Sequence, residues 1–177
     1  MVTCSSSLEN GRGLTTPVEH IGYGAGNEKI GSIVGKGARH GGILKKRFLE
    51  QTPALAKLIS GVSKAARKGY ISGLDGRTLS IRHQHAALNT LLQSAGALVC
   101  KRWAVEMDLE LHKRGWKDRV QVVANIHDEH QYEVDEDIAE EVGQLSIECI
   151  KKAGEYFNIR LPLDGEANVG DNWCETH

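Results

Sequence analysis

At 177 residues, with 25% charged and 40% hydrophobic residues, the chain has about one domain's length and an ordinary globular balance, which excludes collagen-like and low-complexity classes. No run approaches the roughly 18 apolar residues of a membrane helix, the start has no apolar core for a signal peptide, and Cys4, Cys100, Cys149 and Cys174 form no CxxC pair that would suggest a zinc knuckle or a disulfide framework. A reduced, cytoplasmic setting without a membrane is expected. The net charge of −1 conceals an asymmetry: residues 29–82 carry twelve Lys/Arg against Glu50 and Asp75, while residues 83–177 carry nine Lys/Arg against eighteen Asp/Glu. A basic block attracts polyanions and an acidic one concentrates divalent cations, unless both are simply solvated faces.

In chain order, residues 1–22 are Ser/Gly/Thr-rich without hydrophobic periodicity and read as a flexible leader. From "YGAGNEKIGSIVG" onward the chain is punctuated by glycine, and residues 43–69 carry helical spacing in Ile43, Phe48, Leu49, Leu55, Leu58, Ile59 and Val62. Thr52-Pro53 marks the boundary between two helices, with Thr as cap and Pro in the first turn. "YISGLDGRTLSIR" alternates about Asp75-Gly76, a turn between two short strands. The longest helix begins near His85, with Leu88, Leu91, Leu92, Ala95, Leu98 and Val99 as its apolar stripe and Asn89, Gln93, Gly96 and Cys100 along another. "RVQVVANIHDEHQYEV" reads as two strands folded about an acidic pair, and residues 135–157 as an amphipathic helix. The order implies an α+β architecture, helices first and then an antiparallel hairpin backed by helices.

The chemistry concentrates in His127-Asp128-Glu129-His130. Two carboxylates at a hairpin tip can hold Mg²⁺ through oxygen, and two such ions are a standard device for in-line phosphoryl or nucleotidyl transfer. That device normally needs a second carboxylate cluster from elsewhere in the protein. A zinc HExxH site requires a helix and an i, i+4 histidine pair, which the β-branched flanks oppose. An HD-type metal phosphohydrolase and an exposed polar hairpin without a ligand are the alternatives. Asn89 and Gln93, neutral donors one turn apart, suit the minor groove, where every base pair presents acceptors at equivalent places. Gly96 would allow close approach of another backbone or of a nucleic acid. The plainer reading of that pair is a solvated helix face.

"HAALNTLLQSAGA", then a helix and "IHDEHQYEV", resemble the C-terminal part of family A DNA polymerases, closest to the replicative enzymes of short-tailed bacteriophages. The resemblance runs from about Tyr23 to His177 and follows the family's motif order. It implies that His127-Asp128-Glu129 is motif C of the palm, with Asp128 on the catalytic Mg²⁺ ions, Glu129 accessory and His127 at the primer terminus. It further implies that Asn89 and Gln93 touch the template–primer, that Tyr23 lies beside the templating base, and that Arg77 of "GLDGR" contacts the duplex. "GDNWCETH" is similar to the end of the family's chains. The implied organisation is an unrelated leader at 1–22, distal fingers at 23–83 and the C-terminal part of the palm at 84–177.

The departures from the family pattern carry equal weight. Where motif B should supply an Arg and a Lys for the incoming triphosphate, this chain has Gly11 and Thr15. Motif A, the source of the second metal-binding Asp, has no counterpart, and neither do the exonuclease and thumb regions. The expected function is template-directed deoxynucleotidyl transfer on primer–template DNA with deoxynucleoside triphosphates. An upstream polymerase fragment is expected to be required, and the isolated chain to be inactive. A non-catalytic nucleic-acid-binding remnant is the alternative.

Overall fold

The computed structural model describes residues 1–6, 21 and 25–176. Its elements are β1 (Val2–Ser6), α1 (Asn27–Ile33), α2 (Ala38–Gln51), α3 (Pro53–Ala65), β2 (Tyr70–Ser72), β3 (Thr78–Ser80), α4 (Ala87–Arg114), β4 (Val120–Ile126), β5 (Glu129–Val134), α5 (Ala139–Tyr156) and β6 (Gly165–Val169). Mixed helices and antiparallel strands make the fold α+β, as the element order implies. No helix among the described residues is long and apolar enough to cross a membrane.

Two compact units divide inside α4, between Ala95 and Gly96, beyond the 83/84 boundary that the motif order suggests. In the unit that contains α1, α2 and α3, glycine punctuation has a packing cause. A Cβ on Gly41 would run into the Asn27 carbonyl, and one on Gly31 into the Gly37 carbonyl, so both glycines let α1 and α2 meet backbone to backbone. Pro53 opens α3 as its spacing suggests, but Thr52 does not cap it. Its hydroxyl instead donates to the Phe48 carbonyl at 2.7 Å, closing the end of α2. The β2–β3 pair forms about Asp75-Gly76, and Gly76 takes φ 83°, which a side chain would resist. Ile71, Ile81, Ala66 and Ala87 form a small core beneath it.

The other unit is a sheet in the order β4-β5-β1-β6, antiparallel throughout. One face of α4 supplies Val99, Trp103, Met107 and Leu111 at steps of four, the i, i+4 neighbours of a helix. α5 supplies Val142, Leu145, Cys149, Ile150 and Ala153 to the same core. The apolar stripe expected from Leu88 to Val99 is realised in part. Leu88, Leu98 and Val99 are buried, but Leu92 is 44% exposed.

Reading residues 1–22 as a leader has to be corrected for its first residues. Val2–Ser6 is an interior strand, and Val2 and Cys4 are 0% and 1% exposed. Apolar residues at alternate positions, Val2 and Cys4, were the available signal, but five residues amid a Ser-rich composition are too short for periodicity to register.

Candidate active site

β4 and β5 pair as a tight hairpin, with Ile126 opposite Glu129, so that His127 and Asp128 form the two-residue turn. His127 takes φ 55°, a left-handed conformation in which histidine is enriched relative to bulkier residues. The fold is therefore centred one residue before the acidic pair, and Glu129 belongs to β5. His127 is exposed, while Asp128 and Glu129 are half-buried. Gln131 Nε2 donates to Glu129 Oε1 at 2.7 Å and orients that carboxylate. A bulge at Val123, between Val122 and Ala124, precedes the tip, and bulges re-aim the strand that carries them.

What holds the tip is His130. It is 1% exposed and stacks on Trp103 of α4, ring centroids 4.1 Å apart. Asn125, its cross-strand partner, places Nδ2 3.0 Å from His130 Nε2. An amide nitrogen only donates, so Nε2 accepts and the ring proton sits on Nδ1, which lies 3.1 Å from Tyr132 Oη. Burial lowers the His130 pKa to about 4. Trp103 in turn donates Nε1–H to the Ser146 carbonyl of α5 at 2.9 Å. The chain α5–Trp103–His130–Asn125 thus anchors both strands of the hairpin to two helices. Burial, and after it the Asp128 charge, push the Cys100 thiol of α4 up.

The remaining sequence-derived residues fall as follows. Asn89 and Gln93 lie one turn apart on α4, the first half-buried and the second exposed. Gly96 is exposed, and a Cβ built on it meets nothing within 4 Å. Packing among the described residues therefore does not require glycine there. Arg77 is tied to its own turn through Asp75, with Nε to Oδ2 at 2.7 Å. Tyr23 lies outside the described residues. Sequence reading left His130 without a role and passed over Trp103, Asn125 and Gln131. No spacing rule links residues that meet only across a hairpin and a helix.

Asp128 and Glu129 are hard oxygen donors of the kind Mg²⁺ prefers. In number they fall short: no group of three or more His, Cys, Asp or Glu converges as a metal site among the described residues. Among the described residues, Asp128 and Glu129 do not by themselves make a two-metal centre. The hairpin also removes the zinc HExxH and HD-phosphohydrolase readings, because both place their histidines on helices.

The sequence model of "DNA polymerase family A" matches residues 20–175. The chain belongs to that family. It is 43% identical over 175 residues to the DNA-directed DNA polymerase of Enterobacteria phage T3, an alignment covering 88% of this chain and 25% of the relative. Against the corresponding polymerase of Escherichia phage T7 it is 41% identical, with the same coverage. Among solved structures, the POL domain of Pol1 from M. smegmatis, in complex with DNA primer-template and dNTP, shares the fold. It superimposes with a TM-score of 0.79 at 20% identity, over 90% of this chain and 30% of that one. The family A chain described here thus spans about a quarter of the length of its phage relatives.

Proposed function

We propose that this chain is the distal-fingers and motif C palm segment of a family A DNA polymerase, acting on primer–template DNA and deoxynucleoside triphosphates in the cytoplasm of a host cell. The observation that carries the reading is the rigidly anchored hairpin that presents His127, Asp128 and Glu129 at its tip, in a chain with family membership. In this reading Asp128 is the metal-binding carboxylate and Glu129, held by Gln131, its accessory. His127, exposed at the turn, meets the primer terminus. Asn89 and Gln93 offer neutral donors to the minor groove, and Gly96 leaves room for the duplex. Tyr23 flanks the templating base and Arg77 contacts the duplex.

The reaction is attack of the primer 3′ hydroxyl on the α-phosphate of a deoxynucleotide, with pyrophosphate leaving. Mg²⁺, where bound, supplies positive charge at the phosphate oxygens. Because Asp128-Glu129 supplies one of the two carboxylate clusters the reaction uses, and Gly11 and Thr15 stand at the triphosphate-binding positions, an upstream fragment is needed and the chain alone is inactive.

The test is primer extension in Mg²⁺ with purified chain, alone and mixed with the upstream three-quarters of a phage relative. Extension only in the mixture, abolished by Asp128→Asn, is the expected result. Extension by the chain alone refutes the reading. Salt-sensitive duplex binding with no extension in either arm favours a non-catalytic DNA-binding remnant, the reading to which the twelve cationic residues of 29–82 lend weight.

A further inference from the structure

β1 occupies a place that the family sequence match does not fill. It lies in the interior of the sheet, pairing β5 through Val2↔Tyr132, Thr3↔Gln131, Cys4↔His130 and Ser5↔Glu129, and β6 through Val2↔Val169 to Ser6↔Gly165. β5 and β6 are not neighbours of each other and join one sheet only through β1. Yet the family match begins at residue 20, after β1 and before every other strand. Without β1, the strands of the matched region would leave a channel between β5 and β6, walled on both sides by strand edges that seek hydrogen bonds.

The channel selects its occupant. Val2 and Cys4 enter the core against α5, where Gly143 leaves space: a Cβ there would lie 3.8 Å from Val2 and 3.1 Å from Ala167. Thr3 points to the other face and donates to Thr176 Oγ1 at 2.8 Å. Small apolar residues must thus alternate with a hydroxyl. The pairing of Ser5 with Glu129 leads any occupant past the carboxylate tip.

We propose that this channel is a strand-acceptor site for an extended segment of the upstream part of the polymerase, and that Val2–Ser6 fills it here as a substitute. The length of the relatives, of which this chain spans 25%, says where such a segment comes from. Identifying the occupant rests on the polymerase reading; the acceptor site itself does not. A consequence is that the chain is self-capped, and an upstream fragment docks only by displacing β1.

The native cysteines report on this directly. Cys4 in β1 and Cys149 in α5 are buried, and Cys174 is exposed. In the full chain carrying Thr3→Pro, which removes a ladder N–H from β1, maleimide labelling of Cys4 should rise on the order of tenfold or more by local release. Cys149 should stay protected, and Cys174 serves as the internal standard. That variant should also capture a fluorescent peptide of residues 1–8 saturably and ignore a scrambled one. Should Cys149 become reactive together with Cys4, or the peptide fail to bind the released chain, β1 is integral core and the acceptor site is refuted.

These arms need neither DNA nor catalysis, so their failure is distinct from failure of the polymerase reading. For the occupant, the upstream three-quarters of a phage relative should co-purify with Thr3→Pro chain better than with the unaltered one. Equal capture by both chains, or by neither, overturns that assignment.

Discussion

Lowering the pH from 7 to 5 puts the anchor of the hairpin to a quantitative test. In the folded chain His130 has a pKa of about 4 against an ordinary 6.5, because burial disfavours the imidazolium. The folded value lies below the unfolded one. The unfolded chain therefore takes up the proton first, and the contribution of His130 is full above pH 6.5 and lost as pH falls from 6.5 toward 4. Linkage puts the loss between pH 7 and pH 5 at about 2 kcal/mol, and at about 3 kcal/mol by pH 4. For a chain of this size 2 kcal/mol corresponds to a fall in melting temperature of roughly 4–8 °C. Urea unfolding of the native chain and of His130→Gln at pH 7, 6 and 5 isolates the effect, since other titrating groups are common to both. The variant is less stable at pH 7, where it lacks the Trp103 stack, and the gap narrows by about 2 kcal/mol by pH 5. Parallel stability profiles for the two proteins would refute the buried neutral imidazole.

Other outcomes follow from the same packing. Gly96→Ala should raise stability by up to about 1 kcal/mol, because alanine is the better helix former and its methyl meets open space; a gain in melting temperature with weakened duplex binding supports the close-approach role. Glu110→Gln removes a carboxylate that accepts from Lys113 and from Lys152 of α5, each at 2.9 Å, and should cost on the order of 1 kcal/mol near neutrality. Hydrogen bonds from those lysines lower the Glu110 pKa to about 2, so that cost should shrink as pH falls from 4.5 toward 2. Gly143→Val should be poorly tolerated: even a Cβ there would sit 3.1 Å from Ala167, and chemical denaturation should show a loss of roughly 1–3 kcal/mol. Duplex affinity should fall steeply between low and moderate salt; affinity independent of salt would separate residues 29–82 from DNA binding.

Much of the architecture was legible because local signals agreed with tertiary ones. Pro53, the Asp75-Gly76 turn and the amphipathic run of α5 each name their element through a backbone or periodicity rule. What escaped notice had non-local causes. Thr52 was drawn to the Phe48 carbonyl rather than to the following helix. Leu92 sits on the apolar stripe by spacing yet stays exposed, since spacing states which residues share a face and not whether that face is covered. His130 is the sharpest case. Beside Asp128 and Glu129 it reads as one more ionisable group, whereas strand alternation turns it inward, onto a tryptophan 27 positions earlier in the chain.

That alternation also explains how a hairpin can carry acids at its tip and still be firmly held. Successive side chains of β5 point to opposite faces. Glu129 and Gln131 therefore share one face and hydrogen-bond to each other at 2.7 Å, while His130 and Tyr132 enter the protein. The His130 ring remains uncharged near neutrality, so it adds no positive field beneath Asp128 and Glu129. The anchor fixes the geometry of the hairpin without placing a positive charge beneath the two carboxylates. Protonation of His130 would undermine both at once, through the loss of its Asn125 hydrogen bond and the appearance of a buried positive charge. A neutral imidazole suits this place better than an ammonium or guanidinium group, which could make neither the same aromatic stack without charge nor the accepted hydrogen bond.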